Sequence, residues 1–304
     1  MTVARFRGLD LVVRRRLDGL LHGEHAGLRL GAGGDAEELT RYRPGHDVRR
    51  IDWNVTARST EPMVWRTRAE HELDTWVLVD RTASMAFGTV AHEKSETAEW
   101  LAGAIGLLTD APGNRVGIGS LEADGVRWLR PLAGRAAAHR ALTADPPARE
   151  GVASTSLADA IGALERRYRR PGLRVVVSDL LEPDGAHRRP FPWEQPLKRL
   201  ARRHDVVVAE VIDPRELELP PVGEVVLTDP ETGAQREVST SDRRVRDAYA
   251  AAAREHRAAT AEAVRAAGAA HLPLTTHADW TAELARFVIR RRRTPARRPR
   301  SAAR

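Results

Sequence analysis

Three runs of this chain are apolar enough to be strands buried on both faces, and no other feature narrows the choice of fold as far. Trp76-Val77-Leu78-Val79 ends on Asp80, residues 173–180 (LRVVVSDL) end in Ser178-Asp179, and the run DVVVAEVID from Asp205 stops at Pro214. Continuous apolar strands belong to parallel sheets covered on both sides, because an antiparallel sheet with one wet face alternates instead. The segments between them carry helical spacing: Ala98, Leu101, Ile105 and Leu108 within residues 94–108, and Leu157, Ile161, Leu164 and Tyr168 within 157–168. Residues 196–204 and an alanine-rich stretch over 242–267 read as two more helices. Buried strands alternating with helices predict a doubly wound α/β fold, a mostly parallel sheet with helices on both faces.

The remaining segments decorate that core. Residues 115–120 and 126–132 flank Ala123-Asp124-Gly125 and predict an antiparallel hairpin. A second hairpin over 223–238 turns at Pro230 to Gly233, residues 271–274 form a short strand, and 280–289 a closing helix. Upstream, residues 7–21 have helical spacing, and 41–58 contain a Pro44-Gly45 turn followed by Ile51, Trp53 and Val55 at the alternation of a half-buried strand. The expected organisation is an N-terminal module over 1–73, an α/β domain over 74–290 with a hairpin insertion at about 214–241, and an Arg-rich disordered tail over 291–304.

Charge excludes more than it includes. The net charge is +7, but eight arginines lie among the last fifteen residues, and without them 41 basic residues face 42 acidic ones. The basicity therefore belongs to the tail, and nucleic acid is not the expected partner of the folded body. No apolar run approaches the roughly 18 residues of a membrane-spanning helix. The basic segment 1–10 lacks the apolar region of a signal peptide, so the expectation is a soluble, cytoplasmic protein. With no cysteine there is neither a disulfide nor a thiolate metal site.

In open α/β sheets, ligands bind outside the carboxyl ends of the strands, where successive connections go to opposite faces. If the Asp80 and Asp179 strands are the neighbours at that point, their carboxylates meet there. Thr82 and Ser84 follow Asp80 in one loop, and Thr155 precedes the 157–168 helix in another. Two carboxylates with three hydroxyls make an all-oxygen donor set suited to Mg²⁺ or Mn²⁺ rather than to zinc or copper. Two carboxylates just neutralise such an ion, so a partner's Asp or Glu is a natural further ligand. The plainer alternative is that these residues are turn and cap formers, with Ser154 or Ser156 able to cap the helix in place of Thr155.

The run DRTAS, Asp80 to Ser84, resembles the Asp-x-Ser-x-Ser loop of von Willebrand factor A domains, whose metal-ion-dependent adhesion site binds Mg²⁺. By that resemblance Asp80, Thr82, Ser84, Thr155 and Asp179 are the metal ligands. Thr82 replaces the usual first Ser, keeping the hydroxyl and adding a methyl group. YRPGHDVRRIDWNVTAR upstream, and DPRELELPPVGEVVLTDPETG after the third buried strand, narrow the resemblance to the bacterial family of unknown function DUF 58. That family implies a von Willebrand A-like domain working beside a MoxR-type AAA+ ATPase, and many of its members carry membrane helices before this block. The expected function is thus a non-catalytic, metal-dependent adaptor for that ATPase or for an acidic client. A metal-free structural subunit, with Arg81 or Arg115 on the aspartates, is the alternative. Arg49 and Arg50 either pair with Asp47 and Asp52 within the 41–58 block, with Ile51 and Trp53 as core, or dock a partner.

Enzyme readings fit less well. A dehalogenase-type phosphatase needs a second Asp two residues after Asp80, where this chain has Thr82. HELDT, from His71, lacks the second His of a zinc protease, GIGSLEA lacks the closing Gly of a nucleophile elbow, and the Gly-rich stretch before Asp35 has no Gly-Lys-Ser/Thr of a phosphate loop.

Overall fold

A computed structural model describes residues 8–11, 13, 37–42, 48–59, 61–67, 73–90, 92–111, 113–143, 155–181, 188–228 and 233–293. Its centre is a six-stranded sheet of order β10-β7-β6-β3-β4-β5. The strands are β3 (Asp74–Asp80), β4 (Arg115–Glu122), β5 (Gly125–Leu132), β6 (Gly172–Ser178), β7 (Asp205–Ile212) and β10 (Ala270–Thr275). Five run parallel and β5 closes one edge antiparallel to β4. Two small ladders stand apart from this sheet: β1 (Glu37–Arg41) with β2 (Met63–Thr67), and β8 (Glu224–Thr228) with β9 (Gln235–Ser239).

The strand alternation splits the core in two. Val77, Val79, Val175 and Val177 face α2 (Lys94–Leu108), α3 (Gly134–Thr143) and α7 (Trp280–Arg293), with Leu9 and Val13 packed on the same side. Trp76, Leu78, Val176 and Val208 face α4 (Leu157–Arg167), α5 (Glu194–Arg203) and α6 (Arg243–Ala267). This is the doubly wound sheet expected from the three apolar runs. Apart from the alternation over 51–55 the expected strands form, as do the expected long helices of the α/β core, and α2 has the bounds its apolar spacing gave.

The departures have local causes. Ile51, Trp53 and Val55 do not form a strand. Asp52 accepts from the amides of Asn54 and Val55 and caps α1 (Trp53–Thr56), leaving Trp53 68% exposed. A side chain bonding its own backbone outcompetes a three-residue alternation. The closing helix runs four residues past 289, so the tail does not begin at 291. Arg291 pairs with Asp205 and lies over the Phe287 ring, and arginines in a last helical turn also suit the helix dipole. The Gly134–Thr143 helix has no counterpart in the sequence reading, because its buried side is mostly alanine and gives little periodicity. Residues 294–304, the 229–232 turn, Asp47 and most of the 7–21 helix lie outside the described residues.

At the end of α5, His204 is 3% exposed and neither ring nitrogen has a hydrogen-bond partner among the described residues. Burial, with Arg174 and Arg203 nearby, lowers its pKa from 6.5 to about 3. The folded protein keeps this imidazole neutral while the unfolded chain protonates it below 6.5, so folding stability falls as pH drops from there toward 3. Urea melts at about pH 5 should show a loss of about 2 kcal/mol from this residue relative to neutral pH, absent in His204→Leu. A wild-type loss equal to the variant's would refute it.

Candidate functional site

β3 is where the winding reverses. Its next strand, β4, lies on one side and β6 on the other, reached through α4 on the opposite face. The carboxyl ends of β3 and β6 therefore open side by side, placing Asp80 next to Ser178 and Asp179. Both aspartates are buried, at 4% and 1% exposure.

Around Asp80 the loop folds back on its own carboxylate. Oδ1 accepts from the Thr82 amide at 3.0 Å and the Thr82 hydroxyl at 2.7 Å, and Thr82 Oγ1 is 3.3 Å from Ser84 Oγ. Oδ2 accepts from the Ser178 hydroxyl at 2.7 Å. Thr82 precedes the short 3-10 turn Ala83–Ala86 but makes no side-chain cap to it, so its hydroxyl serves the carboxylate instead. Asp179 Oδ1 accepts from the Leu181 amide at 3.1 Å, and Oδ2 from Lys94 Nζ at 2.7 Å. Between them Leu180 adopts a left-handed φ of 58°, a conformation that costs a non-glycine residue about 1–2 kcal/mol. Its burial at 1% exposure holds it there.

Thr155 sits at the same edge but one strand pair away. Its Oγ1 lies 3.9 Å from the place a side-chain carbon on Gly125 would take, and no described hydrogen bond joins it to Asp80 or Asp179. Ser156, not Thr155, caps α4 by accepting from the Asp159 amide. Asp80, Thr82, Ser84 and Asp179 are thus brought together, with Thr155 beside the group. Arg49 is exposed in the turn Val48–Arg50 that also holds Arg50, and belongs to the small β1–β2 unit. The expected arginine partners fall elsewhere: Arg81 pairs with Glu99 at 3.0 Å, and Arg115 starts β4 at the opposite end of the strands.

The cation on Asp179 is a lysine the sequence reading did not assign. Lys94, the first residue of α2, is 1% exposed and bridges Asp179 to Glu216. Glu216 closes a reciprocal cap with Asp213 in the turn Pro214–Glu216 after β7. Asp213 accepts in turn from the Thr89 amide and hydroxyl and from the Thr276 hydroxyl. The available signal was compositional: only Lys94 and Lys198 are lysines in a chain otherwise served by arginine, and Lys198 is exposed.

Burial and the neighbouring Asp179 lift the Asp80 pKa from 3.8 to about 6, against hydrogen bonds from Ser178 and Thr82 that lower it. Burial works against the charge of Lys94, but Asp179 and Glu216 overcome it and hold its pKa above the usual value. Hydrogen bonds from Thr89, Arg215 and Thr276 outweigh burial at Asp213 and keep its carboxyl below the usual range. Burial first and the second carboxylate next disfavour the charge of Asp80, and a hard divalent cation beside both aspartates would favour it. Among the described residues no three His, Cys, Asp or Glu groups could hold a metal by themselves, so a cation here would depend on the hydroxyls.

The family model described as "Protein of unknown function DUF58" matches residues 38–259. An uncharacterized protein of Mycobacterium tuberculosis (strain H37Rv) is 46% identical over 295 residues, covering 95% of this chain and 90% of that protein. Solved structures of similar outline include BatB, a conserved hypothetical protein from Bacteroides thetaiotaomicron (TM-score 0.45, 14% identity, 73% of this chain and all of that one). A von Willebrand factor type A protein from Catenulispora acidiphila has a TM-score of 0.40 at 12% identity, over 73% of this chain and 42% of that one. An aerotolerance-related membrane protein from Bacteroides fragilis has a TM-score of 0.43 at 15% identity, over 72% and 97%. The cytoplasmic expectation is corrected here: a membrane protein stands among the structural neighbours. No described helix is long and apolar enough to cross a membrane, but that alone places the chain in no compartment.

Proposed function

The chain belongs to the DUF58 family of proteins of unknown function, and we propose that it is a non-catalytic adaptor that binds a partner protein through a divalent cation. Asp80, Thr82, Ser84, Thr155 and Asp179 would hold Mg²⁺ or Mn²⁺. The ion would supply positive charge at the sheet edge, able to take a partner's carboxylate as a further ligand. The observation that carries this reading is the pairing of two buried aspartates at the switch point, with the Thr82 hydroxyl turned onto Asp80 rather than onto a helix end. The chain's own residues do the rest. Ser178 and the Thr82 amide orient the Asp80 carboxylate, while the Leu181 amide and Lys94 orient that of Asp179.

The partner is proposed to be a MoxR-type AAA+ ATPase, or an acidic client presented to one. Arg49 and Arg50 are assigned to its docking, beside the exposed Trp53, since Arg and Trp are residue types enriched at interface hot spots. A second reading, a metal-free scaffold, draws support from one observation: every carboxylate oxygen of Asp80 and Asp179 already has a donor, Lys94 among them. Calorimetric titration of Mg²⁺ and Mn²⁺ separates the two. The adaptor reading expects saturable binding in the wild type and none in Asp80→Ala. Absence of binding to either, with both proteins folded, leaves the scaffold.

A further inference from the structure

Lys94 and Glu216 have no part in the resemblance that points to the cation site, yet they are joined to it. Lys94 Nζ donates to Asp179 Oδ2 at 2.7 Å and reaches Glu216 Oε1 with its other side. With Lys94 and Asp179 each 1% exposed, solvent screens these charges poorly. A compact ammonium fits between two carboxylates that approach from different strands, whereas the broad planar guanidinium that serves this chain elsewhere would need more room. Resting on the cation-site reading, we propose that Lys94 and Glu216 are positioning residues that set how much negative charge a divalent ion meets at Asp80 and Asp179.

The charges in contact support this. Asp179 and Glu216 share the single ammonium of Lys94 and Asp80 neighbours Asp179, so three carboxylates and one ammonium leave two negative charges. Arg81, next to Asp80, is matched by Glu99 and shifts the balance little. Asp213 lies beyond Glu216, and its described partners are hydroxyl and amide donors rather than Lys94. The residual charge is the one a divalent cation cancels. Lys94 orients Asp179 at the expense of one negative charge, and Glu216 restores that charge. The turn carrying Glu216 is pinned by its reciprocal cap with Asp213, so the compensating carboxylate is fixed in place.

The pair can be tested by charge alone. Mn²⁺ would be titrated calorimetrically into the wild type, Lys94→Met, Glu216→Gln and the double variant, each checked for folding by circular dichroism. At short range in a poorly solvated site one unit charge changes affinity by at least about tenfold. Lys94→Met should therefore bind Mn²⁺ about tenfold tighter and Glu216→Gln about tenfold weaker, with the double variant back within about threefold of the wild type. A merely structural role gives a different pattern, with both single variants weaker and the double weaker still, and that result overturns the inference. So does wild-type binding that all three variants reproduce. If the wild type takes up no Mn²⁺, the cation-site reading fails and the inference falls with it. Should Lys94→Met not fold, the Glu216→Gln loss and its recovery in the double variant decide. If the double variant also fails to fold, Glu216→Gln decides alone, and unchanged affinity there overturns the inference.

Discussion

Arg174→Ala should lower the unfolding free energy by about 3–5 kcal/mol, the range for removing one partner of a buried charged network. Arg174 is fully buried inside β6, an otherwise apolar strand. Its guanidinium donates to the carbonyls of Asp74 (2.7 Å), Arg170 (2.8 Å), Leu173 (3.0 Å) and Tyr168 (3.2 Å), and to Asp74 Oδ2 at 2.9 Å. Truncation strands those acceptors and leaves a cavity beneath Trp76, the residue opposite in register. Arg174→Lys should recover only part of the loss, because one ammonium cannot span the fork. Urea denaturation with an unchanged m-value is the measurement, and a loss below about 1 kcal/mol would show that water replaces the network. The pin lies at the amino ends of β3 and β6, and the aspartates at their carboxyl ends. Cation affinity of the folded fraction should therefore change little.

Arg174 also shows where sequence reading stops. Its strand is recognisable from Val175, Val176 and Val177 whether or not an arginine sits among them. Which carbonyls that arginine reaches depends on the 168–172 turn and on β3, a hundred residues earlier in sequence. The sheet order was legible to the extent that Asp80 and Asp179 could be set side by side, because each ends an apolar run and the winding rule brings such ends together. Lys94 was not legible in the same way. It is the first residue of a helix, where a solvated lysine would look the same, and only the fold brings Asp179 and Glu216 onto it. Trp53 failed for the opposite reason: alternation over three positions is a weak signal, and an Asp52 cap needs only its own neighbours.

Asp80→Asn should stabilise the cation-free protein above about pH 6 by on the order of 3 kcal/mol, while abolishing cation binding. The sign follows from the shift of Asp80 from 3.8 to about 6 by burial and by Asp179. Between those values the folded protein holds a proton that the unfolded chain has released. The wild type therefore loses stability as pH rises through that window and carries a constant deficit above it. Asparagine has no charge to bury. Its carbonyl can still accept from the Thr82 amide and hydroxyl, and its NH₂ can donate to Ser178 Oγ. In chelator, the melting temperatures of wild type and variant should coincide near about pH 3.5, below both values, and separate progressively toward pH 7. Added Mn²⁺ should raise only the wild type and narrow the gap. A residue serving as a turn former would behave otherwise, since Asp80→Asn would then be neutral or destabilising at every pH. That response to Mn²⁺ would mean that a buried carboxylate which weakens its own fold is held there for what it binds.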